Sequence, residues 1–308
     1  MMRSARLGAM RHIGILGLAA AIAGCGQTWN DPYPSSDAAK DILYSAFVAR
    51  PKHLDPALSY ASDEAVFTQQ VYEPPLQYHY LKRPYQLVPL TAAQMPRVSF
   101  TGGYSEYEIR IRPGIRYQPH PAFARNASGE FLYQSLSPAQ IAALASPYAL
   151  SGRGTRELTA DDYIYEIKRL AQPRLASPIY GLMSQYIVGL SDLAARLKKA
   201  DAALRAEGHG DEWLDLRKYP LAGVERVDAH TFRIRLKGRY PQFAYWLAMP
   251  FFAPVPWEVD RFFAQPGMAE KNFTLDWWPV GTGPYVLREW VRRSKIVLER
   301  NQIGRAHV

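Results

Sequence analysis

Apolar and polar positions alternate along this chain in short stretches of two different periods. Tyr107-Glu-Ile-Arg-Ile-Arg112 alternates strictly, the period-two pattern of a half-buried strand, and Pro113-Gly114 closes it as a turn. Val224-Glu-Arg-Val227, Asp228-Ala-His230 and Thr231-Phe-Arg-Ile-Arg-Leu236 read as a hairpin with alternating faces. Residues 286–291 and 296–300 form another strand pair behind Gly281-Thr-Gly-Pro-Tyr285. Residues 41–49 are a further strand candidate, stopped by Pro51 and followed by the turn signal Leu54-Asp55-Pro56. Helical spacing predicts a helix over 64–72, ending before Pro74-Pro75. A second begins at Thr159, where Asp162 stands three positions on in the manner of a capping box and Tyr163, Ile164, Ile167 and Leu170 share one face. A third covers 191–207, with Leu193, Leu197 and Leu204 inward and Gly208 as its stop. Short helices are expected at 138–148, inside an otherwise irregular 119–158, and at 243–247. Residues 251–255 form an apolar strand or loop broken by Pro254. Helices and strands do not alternate regularly, so the fold class is mixed α+β or α/β.

The N-terminus follows a different logic. Arg3, Arg6 and Arg11 precede a short apolar run over 13–23, the layout of a secretory signal. A stable membrane span needs about 20 apolar residues, so this run is too short to be one. Ile22-Ala23-Gly24-Cys25 resembles a bacterial lipobox, and Cys25 is the only cysteine in the chain. That resemblance implies a signal peptide over 1–24, cleavage before Cys25 and acylation of its thiol. Residues 25–40 then read as a lipid-anchored flexible tether rich in proline and serine. The expected location is the periplasmic face of a bacterial membrane, inner or outer undecided. With one cysteine, no disulfide framework is available.

Charge and motifs narrow the chemistry. Of the formal +9, three arginines lie in residues 1–24 without an acid and Arg305 lies in the last segment, which leaves +5 for the rest. The basic residues are scattered and do not form the stripe a nucleic-acid partner needs. The pair Asp161-Asp162 is best read as a charged first turn facing the helix dipole. Gly281-Thr-Gly283 is followed by a proline and a strand pattern, so it is not a dinucleotide loop. The seven histidines are isolated, and no Gly-x-Ser-x-Gly elbow occurs. No residue set suggests catalysis, a metal or a cofactor.

Taken in order, several motifs resemble the family 5 extracellular solute-binding proteins, the oligopeptide- and dipeptide-binding receptors of ABC importers. They are Leu54-Asp55-Pro56 with the helix ending Val71-Tyr72-Glu73, Ile111-Arg-Pro-Gly-Ile-Arg-Tyr117, Leu158-Thr-Ala-Asp-Asp-Tyr-Ile-Tyr165, Ala176-Ser-Pro178, Val227-Asp-Ala-His-Thr-Phe232, Pro254-Val-Pro256 and Val280-Gly-Thr-Gly-Pro-Tyr285. The resemblance implies a two-lobed, periplasmic-binding-protein-like type II fold. Residues 41–72 would begin lobe I, 73–256 would form an inserted small domain and 257–301 would return to lobe I. Residues 119–158 and 191–218 look longer than the family's usual connections.

The same resemblance implies a binding protein and not an enzyme. It would capture peptides or a similar small solute and deliver them to ABC permease subunits. Tyr60, Ser62 and Tyr180 match positions that meet the ligand in oligopeptide receptors. The family continues beyond Asn301, and Ile303-Gly-Arg-Ala-His-Val308 resembles a translated sequencing adapter. The expectation is a C-terminally truncated sequence in which 302–308 is a non-native tail. The alternatives from other classes are an envelope hydrolase and a structural envelope lipoprotein without a transport role.

Overall fold

In a computed structural model of the chain, the described residues are 35–37, 39–291 and 294–303. Cys25, the signal segment and residues 304–308 lie outside them. The chain divides into two units, one up to Phe47 and one from Val48 onward. In the first, a 3-10 turn Ser35–Asp37 is followed by extended residues, and Asp37 accepts from Lys40 Nζ at 2.7 Å and from Tyr44 OH at 2.9 Å.

The second unit contains helix α1 (Ser62–Val71), strands β1 (Leu76–Tyr78), β2 (Leu87–Pro89), β3 (Arg97–Thr101) and β4 (Tyr104–Arg110), then α2 (Pro138–Ala143), α3 (Ala160–Arg169), α4 (Tyr180–Tyr186) and α5 (Leu190–Ala206). Strands β5 (Val224–Arg226) and β6 (Thr231–Lys237), helices α6 (Phe243–Trp246) and α7 (Trp257–Phe263), and strands β7 (Tyr285–Val291) and β8 (Lys295–Arg300) complete it. The strands form a four-stranded antiparallel sheet, β3-β4-β6-β5, and two hairpins, β1-β2 and β7-β8.

The central sheet shows why its sequence alternates. Tyr107 lies opposite Ile234 and Ile109 opposite Phe232, all buried. The residues between them face outward as charged pairs, Glu108 opposite Arg233 and Glu106 opposite Arg235, with Arg233 2.8 Å from Glu108. A register slip by one residue would bury those charges, so the alternation fixes the pairing. Helix α3 covers the inner face. Its Tyr163 stacks on Phe232 at 5.2 Å and its hydroxyl lies 2.6 Å from Thr91 Oγ1. The cap at Thr159 is the expected box, with Thr159 N donating to Asp162 Oδ2 at 2.9 Å.

Two expectations about elements are corrected. Residues 41–49 form no strand. They join none of the sheets formed by the described residues, and Leu43 and Val48 are exposed. The helix expected at 138–148 stops at Ala143, where Leu144 turns extended, and a 3-10 turn at Pro147–Ala149 follows. Residues 251–255, expected as an apolar strand or loop, are a loop: a 3-10 turn at Pro250–Phe252 leads into a buried extended stretch.

Gly281-Thr-Gly283 packs backbone against backbone. A Cβ on Gly281 would lie 2.0 Å from the Val71 carbonyl oxygen, and one on Gly283 would lie 2.5 Å from that of Gln70. The contact is closed by Gly283 N donating to Val71 O at 2.9 Å and by Thr282 Oγ1 donating to Glu73 Oε2 at 2.9 Å. The glycines thus dock the end of α1 onto the start of β7. Elsewhere His120 is fully buried, its Nδ1 accepting from Ala122 N at 3.1 Å beneath the rings of Tyr148 and Phe262. Burial, helped by the Arg153 charge, pushes its pKa down to about 3 from 6.5.

Two tests follow. Gly281→Ala should destabilise the protein by roughly 3 kcal/mol or more, because the neighbour in the way is backbone; a chemical-denaturation midpoint measures it. The folded pKa of His120 lies below its unfolded value. Its contribution is therefore complete above pH 6.5 and is lost as pH falls toward about 3, a change of up to roughly 5 kcal/mol. His120→Asn should lose distinctly less stability than the parent between pH 7 and pH 4, measured by urea midpoints.

Candidate ligand-binding site

The turn leading into α1 carries two of the residues singled out from the sequence. Its shape comes from one buried carboxylate. Glu64 Oε1 accepts from Lys52 N at 3.2 Å and His53 N at 2.9 Å, while Oε2 accepts from Tyr60 N at 2.9 Å and Ala61 N at 3.1 Å. Four backbone donors on one anion leave the turn little freedom. Tyr60 projects from it, 70% exposed, with its ring centroid 6.1 Å from that of buried Phe251. The Trp246 ring centroid lies 6.4 Å from that of Phe251. Ser62 begins α1 and is exposed.

Beneath this turn lies a fully buried arginine. Arg169, at the end of α3, donates to both Asp55 oxygens at 2.9 and 2.6 Å, to Glu166 Oε2 at 2.9 Å and to Asp260 Oδ1 at 3.3 Å. Asp260 also accepts from Tyr165 OH at 2.6 Å and Trp213 Nε1 at 2.9 Å. Asp55 N donates to Asp276 Oδ1 at 3.1 Å, and Asp276 Oδ2 lies 3.1 Å from His53 Nδ1. One guanidinium thus joins the turn after Pro51 to α3 and α7. Three carboxyls around one largely buried cation leave excess negative charge. Burial, with the Asp55 charge adding to it and Arg169 opposing, holds the Glu166 carboxyl well above its usual range, and Glu166 Oε1 has no partner. Burial and the charge of Asp55 raise Asp276 as well.

A second cluster stands at the start of α3. Arg156 bridges Asp162 at 2.6 Å and Glu258 at 2.7 Å. Burial works against its charge, but the two carboxylates outweigh that and its pKa is raised. Asp162 is therefore both a cap and an ion-pair partner, more than the charged first turn read from the sequence.

Tyr180 sits elsewhere. It follows a bend in which Ala176 adopts φ 53° and is the first residue of α4, half-buried. It lines a cavity of about 540 Å3 with Leu170, Ser177, Ser191 and Lys198. Tyr60 and Ser62 do not line that cavity. A second cavity, of about 460 Å3, opens over Arg169, Asp260 and Trp213. Among the described residues no group of three or more His, Cys, Asp or Glu could hold a metal, and no helix is long and apolar enough to cross a membrane.

The sequence reading passed over Glu64, Arg169, Glu166 and Asp260. A signal existed for one of them. Glu166 falls between Tyr163 and Leu170 at helical spacing, so it occupies the inward face of α3, where a charge needs a buried partner.

Comparison with known proteins agrees with this architecture. Residues 154–302 match the model of the bacterial extracellular solute-binding proteins, family 5 Middle. Over those residues the chain is similar to that family. The periplasmic oligopeptide-binding protein OppA of Salmonella typhimurium is 34% identical over 146 residues, covering 47% of this chain and 22% of that protein. The probable deoxycholate-binding periplasmic protein YgiS of Escherichia coli is 27% identical over 144 residues, with the same two coverages of 47% and 22%. The matched stretch therefore spans about a fifth of these relatives, 22% in each case. The solved structure of the peptide-binding pheromone receptor PrgZ superposes with a TM-score of 0.52 at 18% identity, over 82% of this chain and 38% of its own. The fold is thus mixed α/β and matches part of the type II periplasmic-binding-protein architecture.

The cluster makes a signed prediction. Because the folded pKa of Glu166 is raised, its favourable contribution is complete below the unfolded value near 4.5 and is lost as pH rises toward the folded value. Glu166→Gln keeps a neutral side chain at every pH. Its melting temperature minus that of the parent should grow from pH 5 to pH 8; a difference independent of pH would contradict the assignment.

Proposed function

We propose that this chain serves as the membrane-anchored substrate-binding receptor of an ABC importer, capturing peptides and handing them to the permease. The observation carrying this reading is the family match over residues 154–302, joined to relatives named for oligopeptide binding. In this reading Cys25 bears the lipid, residues 25–40 are the tether, and the protein works on the periplasmic face of its membrane as a receptor and not as an enzyme. The lobe division expected at 41–72, 73–256 and 257–301 belongs to the same reading. Tyr60, Ser62 and Tyr180 contribute to one wall of the ligand cleft. The turn beneath Tyr60 supports a contact role, since backbone held by a buried carboxylate needs little further ordering when a ligand arrives.

Calorimetry with a peptide library, on the protein as its whole gene encodes it, tests the reading. Peptides should bind, and Tyr60→Ala should weaken binding about tenfold, roughly 1.4 kcal/mol, with an unchanged melting temperature. Silence with peptides and heat with a bile acid such as deoxycholate would move the substrate class toward that of the second relative. Silence with both would overturn the receptor reading.

A further inference from the structure

The β1-β2 hairpin exposes several large apolar side chains, and its composition is one-sided. Its base is pinned: Leu76 N donates to Leu247 O at 3.0 Å, and the strands pair from Leu76 opposite Pro89 to Tyr78 opposite Leu87. Tyr78 stacks on Tyr245 of α6 at 6.1 Å. The tip is ordered by its own groups. His79 N donates to Gln86 O at 2.7 Å, and His79 Nδ1 accepts from Leu81 N at 3.2 Å and Lys82 N at 3.3 Å. Arg83 donates to Lys82 O at 3.0 Å and lies over the Tyr85 ring at 4.4 Å. This order leaves Tyr80 at 89%, Leu81 at 76% and Tyr85 at 63% exposure.

Charge gives the tip a direction. No Asp or Glu occurs between Glu73 and Glu106, while Lys82, Arg83 and Arg97 do. Neither Lys82 nor Arg83 has an acidic partner among the described residues. Exposed tyrosine and leucine flanked by unpaired cations fit the headgroup layer of an anionic bilayer. There aromatic rings sit at the apolar–polar boundary and each basic residue gains from the surface charge. In water the same side chains gain nothing from their exposure.

We infer that the β1-β2 tip, through Tyr80, Leu81, Lys82, Arg83 and Tyr85, docks this protein onto an anionic lipid surface. The contact is separate from acylation at Cys25. A tethered protein with a second lipid contact would be held in one orientation to its membrane.

The test is vesicle co-sedimentation of the full chain carrying Cys25→Ser, on phosphatidylcholine alone and on phosphatidylcholine with one quarter phosphatidylserine. The paired variants Lys82→Gln/Arg83→Gln and Tyr80→Ser/Leu81→Ser both change exposed side chains, and thermal melts check that they fold. Expected is a partition onto the anionic vesicles about tenfold weaker in the charge pair, with no change on phosphatidylcholine, and a parent affinity that falls as salt rises. The Tyr80→Ser/Leu81→Ser pair should lose binding to the anionic vesicles too. Any binding by the N-terminal apolar run is common to all variants and cancels. Variants that sediment like the parent overturn the proposal. So does a difference seen only in vesicles reconstituted with the permease, which would make the tip a protein contact.

Discussion

A single guanidinium holds this structure together. Arg169 is buried among Asp55, Glu166 and Asp260, which come from a turn, its own helix and helix α7. A buried charge is tolerable only when its hydrogen bonds are filled, and here the partners are contributed by segments far apart in the chain. Breaking the set by removing the arginine would leave three carboxyls, two of them buried, without their cation. The set therefore works less as a source of net stability than as a constraint on which segments meet. It brings the turn carrying Tyr60 to α3 and α7, and Glu64 then fixes the rim of that turn.

The ion set and the glycine contact act on opposite ends of one connection. Asp55 fixes the chain before α1, and Gly281 and Gly283 pack against its last residues, Val71 and Gln70. Helix α1 is thereby clamped at both ends, although its own apolar stripe is modest and Val66 is exposed. The clamp is what makes the exposed Tyr60 and Ser62 a rigid surface, and a rigid surface is what a receptor reading requires. Tyr180 is positioned separately, by the left-handed bend at Ala176. The two expected contact regions rest on different supports, so the proposed contact role of each can be tested by separate mutation.

The elements with strong local patterns were legible in advance. The strands around Tyr107 and Phe232, the capped helix at Thr159, the helix stopped at Gly208 and the hairpin at the end of the chain all appear where the pattern places them. Residues 41–49 have the composition of a strand but join no sheet among the described residues, which a local pattern has no means of signalling. Strands β1 and β2 were missed because three residues each show no period, and they exist through pairing with one another. Helices α4 and α7 were missed because their apolar residues follow prolines and bends.

By itself, the sequence determined the mixed fold class, the family resemblance and the candidate anchor at Cys25. Those are properties of order and spacing, and order survives without coordinates. Only the tertiary structure decided that Asp55, Glu166, Arg169 and Asp260 share one buried site, that the Gly-Thr-Gly motif is a backbone contact, and that the Tyr80 hairpin stands free in solvent. Each of these depends on which distant segments lie within a few ångströms of each other. The energy of a buried charge or an exposed ring is set by those neighbours, not by its own residue type.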